Sequence, residues 1–184
     1  MLRALCRAFV ARMERDWRYD ASYMRDLIDA RPSSFLKFAV VTTLVPRRDA
    51  PAEALAAAGI VGTIAEDCGP CTQISVDMAA KGGVAPTVLR AILAGDRPGM
   101  GETARLAYDF ARASLEKRLE EADVLRDEVV RRWGRKGLAA IALALTTARM
   151  YPTLKYALGH GKACSKVSVA GEPMPVVRAV ALAA

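Results

Sequence analysis

The chain has 184 residues and a net charge of +7; 53% of its residues are hydrophobic but only 6% are aromatic. That length suits one domain, or one domain with an appended arm, and Ala and Leu supply the apolar content in place of β-branched types, so an all-α protein is expected rather than a β-sandwich or barrel. The basic excess is scattered and stands mostly beside acids such as Glu14, Asp16 and Glu128, without an aromatic-interleaved stripe, so no nucleic-acid partner is expected.

From Leu2 to about Trp17 a helical pattern places Leu2, Leu5, Phe9 and Met13 on one face, and Arg3, Arg7 and Arg12 interrupt any apolar run. A secretory h-region is therefore absent from this stretch, and a cytoplasmic location is expected. Asp20 or Ser22 begins a short second helix around Met24 to Ile28 that Pro32 closes, and Ser33 or Ser34 can cap a third through Phe35, Phe38 and Val41. The proline-bounded stretch from Pro46 to Pro51 reads as a loop. Pro51 suits the start of a long helix from Ala52 to about Ala65, followed by the cysteine segment and a helix to Ala80 that Gly82 and Gly83 stop. Ala85-Pro86 opens a short helix through Leu93, ended by Gly95-Asp96, and another runs from Glu102 to Lys117. Asp123 to Trp133 and Gly137 to about Leu158 complete the set, with Pro152 kinking or restarting the last. The apolar stretch from Gly137 to Thr147 falls well short of the roughly 20 residues that span a membrane, so no membrane partner is expected. Only Lys166 to Val169 carries a weak strand signal. The expected organisation is an N-terminal helical arm over 1–46, a helical domain over 47–169 and a tail over 170–184 that is either disordered or packed on a neighbouring subunit.

Four cysteines, Cys6, Cys68, Cys71 and Cys164, are too sparse and uneven for a disulfide-stapled secreted scaffold. Cys68 and Cys71, in Glu66-Asp67-Cys68-Gly69-Pro70-Cys71, are spaced to close a disulfide with little backbone movement. Pro70 lacks a donor and clashes with the carbonyl four residues back, so a helix breaks near Glu66 and restarts at Gly69 or Pro70. Cys68 then stands near the N-cap and Cys71 in the first turn, where free N–H groups and the helix dipole favour a thiolate. Glu66 and Asp67 oppose this by their charge unless one turns away or accepts a proton.

Cys-Gly-Pro-Cys is also the thioredoxin tetrapeptide, but there it follows a strand, and here helix patterns flank it on both sides. The order of segments from Pro51 to Gly161 resembles the family of alkylhydroperoxidase-D-like and carboxymuconolactone-decarboxylase-like proteins. A helix runs into AEDCGPCTQISVDMA; KGGVAPTVLRAILAGD follows, then the helix from Glu102 and RRWGRKGLAAIALALTTARMYPTLKYALGH. The resemblance implies a helical bundle, assembly into homo-oligomers, and a thiol peroxidase or disulfide oxidoreductase that uses no cofactor or metal. Its substrate is a hydroperoxide or disulfide, and a dithiol reductant resets it. It also implies that Cys71 becomes the sulfenic acid and Cys68 resolves it, whereas analogy with thioredoxin-type helix ends favours Cys68 as nucleophile. The peroxidase members carry a Glu twelve residues before the first Cys and a His four after the second; those positions are Ala56 and Ser75 here. Glu53, one turn before Ala56, and Glu66 are the candidate replacement bases, and Ser75 can hold a water or a thiolate hydrogen bond. The catalytic set expected is thus Cys71, Cys68, Glu66, Glu53 and Ser75.

Competing readings accompany each residue. The two cysteines can pack as small apolar groups in a non-enzymatic helical binding or assembly protein. Ser75 can simply bond its own backbone. His160 and Cys164 with the pair would make a three-sulfur, one-nitrogen zinc set, supported by residue count alone. Lactone decarboxylation, the activity of the other family branch, does not use paired cysteines.

Overall fold

The computed structural model describes residues 1–43, 45–161 and 167–176. Among these the elements are α1 (Leu2–Trp17), α2 (Ser22–Ala30), α3 (Pro32–Thr43), α4 (Ala52–Ala65), α5 (Gly69–Lys81), α6 (Pro86–Ala94), α7 (Gly101–Leu115), α8 (Leu119–Ala157), β1 (Val167–Val169) and β2 (Glu172–Met174). The protein is mostly helical, and no helix among the described residues is long and apolar enough to cross a membrane.

α4 is the axle of the bundle. Its Ala54, Ala57, Ala58, Ile60 and Val61 are buried against Leu89 and Ile92 of α6, Ala104 and Ala107 of α7, and Ile141 and Leu145 of α8. Small residues let these helices approach closely, and the limit is reached at Gly62. A Cβ there would stand 2.8 Å from the Leu145 carbonyl oxygen and 3.2 Å from the Ala148 Cβ. Gly62→Ala is therefore expected to destabilise the protein by about 1–3 kcal/mol through overpacking, even though Ala favours helix by ~1 kcal/mol over Gly. Urea unfolding measures this, and an unchanged midpoint would mean that α8 yields freely.

α8 is one rod in outline and two helices in backbone, because Gly134 sits at φ 70°, ψ 179°. Only glycine adopts that conformation without strain, which explains why the sequence predicts separate helices on either side of it. The first of them begins at Leu119 rather than Asp123, with Glu120 and Glu121 in the first turn where the dipole favours acids. Pro152 lies inside the helical run and does not end it. Pro32 likewise opens α3, so it serves as the first residue of the third helix as well as the stop of the second.

The arm, α1 to α3, has its own apolar cluster: Cys6, Val10, Tyr19, Ala21, Tyr23, Met24, Ile28 and Phe35, joined by Cys68 and Cys71. α1 turns a different face inward from the one expected. Cys6 and Val10 are buried with Met13 and Trp17 packed beside them, and Leu2, Leu5 and Phe9 face outward. Two apolar stripes run along this helix, and the one turned inward carries Cys6, Val10, Met13 and Trp17. α3 docks on α8 through an edge-to-face contact of Phe38 with Tyr151, ring centroids 4.9 Å apart.

A hairpin joins the end of the expected helical domain, where Lys166 to Val169 carries the weak strand signal, to the start of the expected tail. β1 and β2 pair antiparallel with Val167 opposite Met174, Ser168 opposite Pro173 and Val169 opposite Glu172. Ala170 and Gly171, at φ 52° and 83°, make the tight turn between them. Val167 and Val169 point into the main core, and the Gln73 amide of α5 pairs with the Ser168 backbone, accepting its N–H at 2.7 Å and donating to its C=O at 3.1 Å. Lys166 and the residues after Val176 lie outside the described residues.

Candidate active site

α4 ends through a left-handed residue, Asp67 at φ 48°, a conformation that Asp tolerates better than most side chains. Cys68 follows as the N-cap of α5, and Pro70 sits in the first turn, so the restart falls where the proline places it. The result is that Cys68 and Cys71 share one end of the helix, with their sulfurs 2.6 Å apart and joined by a hydrogen bond. Closing a disulfide from that arrangement needs a movement of only about 0.6 Å.

The two thiols are electrostatically unequal. Cys68 is lowered to about 7, first by the Cys71 thiol hydrogen bond, then by the Cys71 backbone N–H, the Lys155 ammonium and the Tyr156 hydroxyl, against the opposing effect of burial. Cys71 is raised well above the ordinary thiol range by the same hydrogen bond seen from its other end, by burial and by the Cys68 charge. Of the two, Cys68 therefore gives up its proton first, near neutral pH, while Cys71 keeps its own.

Both sulfurs lie under the arm: Cys68 is 3% exposed and Cys71 2%. The Tyr19 hydroxyl is 3.5 Å from the Cys71 sulfur and 3.2 Å from the Tyr23 hydroxyl, forming a chain of three polar groups in an apolar shell. Burial keeps both phenols protonated far above their usual range. Lys155, near the end of α8, is 2% exposed and places its ammonium 5.9 Å from the Tyr19 ring centroid. Tyr156 donates to the carbonyls of Glu66 and Asp67 at 2.9 and 3.0 Å, which fastens the segment before Cys68 to α8.

The remaining residues singled out in the sequence are placed as follows. Glu66 caps α4, and its carboxylate accepts from Arg149 at 2.6 Å and from Thr153 at 3.5 Å. Glu53 stands in the first turn of α4, at the end away from the cysteines and about 18 Å along the helix axis from Ala65. Ser75 donates to the Cys71 carbonyl at 3.0 Å, the backbone bond typical of a helical serine. Of the five residues, then, only the two cysteines have their reactive atoms brought into contact.

His160 serves the arm. Its Nε2 is 2.6 Å from the Asp26 carboxylate and its Nδ1 3.0 Å from the Ser22 hydroxyl, so the end of α8 is latched to α2. Cys164 lies outside the described residues, and among those described no group of three or more metal-ligating side chains gathers.

An open cleft of about 540 Å³ runs along α8, lined by Phe38, Leu115, Leu145, Met150 and Leu154 with the Glu66–Arg149 ion pair in its wall; neither cysteine is in its lining. Leu154 also packs on the arm's apolar cluster, to which the two cysteines belong.

Sequence reasoning left Tyr19, Tyr23 and Lys155 without a role. They lie far from the cysteines in sequence, and no local pattern marks them.

No protein-family model, curated protein or solved structure matches this chain.

Proposed function

We propose that the chain is a thiol-dependent oxidoreductase of the alkylhydroperoxidase-D-like kind, reducing hydroperoxides through the Cys68–Cys71 pair. The observation that carries this reading is the contact between the two sulfurs, of which Cys68 is the more acidic. The Cys68 thiolate attacks the terminal oxygen of the hydroperoxide and breaks the O–O bond, giving a sulfenic acid on Cys68 and an alkoxide that takes the Cys71 proton. The Cys71 thiolate so formed attacks the Cys68 sulfur and expels hydroxide, which leaves as water after protonation. A dithiol reductant then returns both thiols. The acidity of the two groups favours this order over the one that the family resemblance implies, in which Cys71 is oxidised first.

Mass spectrometry of the peptide spanning both cysteines tests the proposal. Treatment with about one equivalent of peroxide is expected to remove two hydrogens from that peptide, and excess dithiol to restore them with continuing peroxide consumption. Thiols that stay reduced under mild peroxide would support the second reading, a structural pair in a helical assembly protein, which the near-complete burial of both sulfurs favours.

A further inference from the structure

Lys155 is the one charged side chain that is buried among the described residues. Among the described residues it has no hydrogen-bond or ion-pair partner, although carboxylates are plentiful on the arm: Glu14 is engaged with Arg25, Asp26 with His160, and Asp20 with the Ser22 backbone N–H at 2.9 Å. The Lys155 side chain keeps only a trace of contact with water, which strengthens its attraction to any anion close by. The last turn of α8 offers the ammonium some compensation through the helix dipole, but a fraction of what burial removes.

What surrounds Lys155 is the thiol pair and its phenols. Its ammonium sits over the Tyr19 ring, the Tyr19 hydroxyl touches the Cys71 sulfur, and the Cys71 sulfur touches that of Cys68. The neighbouring residue Tyr156 fastens the backbone just before Cys68, so α8 brings the lysine and the N-cap of α5 together as one unit. The other titratable groups facing this site are Tyr19, Tyr23 and Asp20 from the arm, Asp67 from the segment before α5 and Tyr156 from α8. The phenols are protonated and Asp20 is committed to Ser22. Lys155 also attracts the Asp20 carboxylate, but Asp20 and Asp67 stand exposed to water, and the buried anion on this side of the cluster is the sulfur of Cys68.

We propose that Lys155 is a positioning residue of the thiol pair, the buried counter-ion that holds Cys68 as a thiolate in the reduced protein; this rests on the redox reading above. The lysine does not touch substrate in this role. Closing the Cys68–Cys71 disulfide removes the buried negative charge that the ammonium faces and leaves it the water-exposed Asp20 carboxylate.

The test follows the rate of Cys68 alkylation by iodoacetamide against pH, read peptide by peptide, in the wild-type chain and in Lys155→Met and Lys155→Arg. Lys155→Met is expected to move the Cys68 midpoint upward from near neutrality by about one pH unit and to slow alkylation at pH 7 by about fivefold. Lys155→Arg restores most of the rate, because it returns the charge but not the shape. A folded Lys155→Met protein with the wild-type midpoint would overturn the proposal. Should neither variant fold, the wild-type chain still answers: the side-chain NMR signal of Lys155 Cε is expected to inflect at the Cys68 midpoint and to lose that inflection in Cys68→Ser. An inflection that survives Cys68→Ser would equally overturn it. Loss of peroxide turnover alone bears on the redox reading and leaves the alkylation midpoint to decide the role of Lys155.

Discussion

Cys71→Ser is expected to consume about one equivalent of peroxide and then stop. The serine hydroxyl still donates a hydrogen bond from the first turn of α5, so the Cys68 thiolate keeps most of its stabilisation and the first oxidation proceeds. What disappears is the second sulfur. The sulfenic acid on Cys68 has no neighbour to expel its oxygen, it accumulates, and dimedone traps it on that residue. Steady-state turnover with a dithiol is expected to fall by about 100-fold or more, since two residues acting in sequence fail as a unit when either is removed. Cys68→Ser is expected to lose the initial burst as well, because the remaining Cys71 is held protonated by burial. The two variants together decide the order of the steps. A dimedone adduct on Cys71 in Cys68→Ser, with no burst in Cys71→Ser, would reverse the assignment and restore the order that the family resemblance implies.

Tyr23→Ala is expected to uncover the sulfurs without melting the bundle. Tyr23 is fully buried, its hydroxyl bonded to Tyr19, and it anchors an apolar cluster distinct from the one built on α4. Truncating an aromatic at such a position removes about 3–5 kcal/mol, and the loss falls on the arm because its apolar contacts are made largely within itself and with the cysteine segment. If the thiols react through openings of the arm, a loss of about 3 kcal/mol raises the reactive population by more than about 100-fold, at 1.4 kcal/mol per tenfold. Reaction with dithiodipyridine reads this directly. A rate equal to wild type, with a lowered global melting midpoint, would mean that the arm and the bundle unfold together and that the sulfurs are reached by another route.

Much of the fold was legible because local rules dominate it. Pro70 cannot lie in mid-helix, and that single fact located the break between α4 and α5 and the N-cap position of Cys68. Gly134 divided the last two helical patterns for a similarly local reason, its positive φ. The face of α1 was misjudged since Leu2, Leu5 and Phe9 are as apolar as Cys6, Val10 and Trp17, and periodicity cannot say which stripe finds a partner. The first strand falls on the weak signal from Lys166 to Val169, whereas the second lies in the expected tail, because the turn is Ala-Gly and the strand contains Pro173, neither a strong strand signal.

The site itself was half legible. The cysteines were found by spacing, a property of neighbours in sequence. Lys155 and Tyr19 lie far from them along the chain and meet them only through packing, so no local pattern marks them. Glu53 and Glu66 entered as stand-ins for a missing carboxylate, and the structure engages Glu66 with Arg149 and leaves Glu53 at the far end of its helix.

The cover that α1 to α3 lay over the two sulfurs has a kinetic consequence. When a reactive atom is shielded by a segment that must lift first, raising the reagent concentration accelerates the reaction only until every lifting event is productive. Oxidation of Cys68 is then expected to level off at a ceiling set by the lifting frequency, the same for small and large peroxides, and the His160 clasp on α2 becomes the spring that fixes that ceiling.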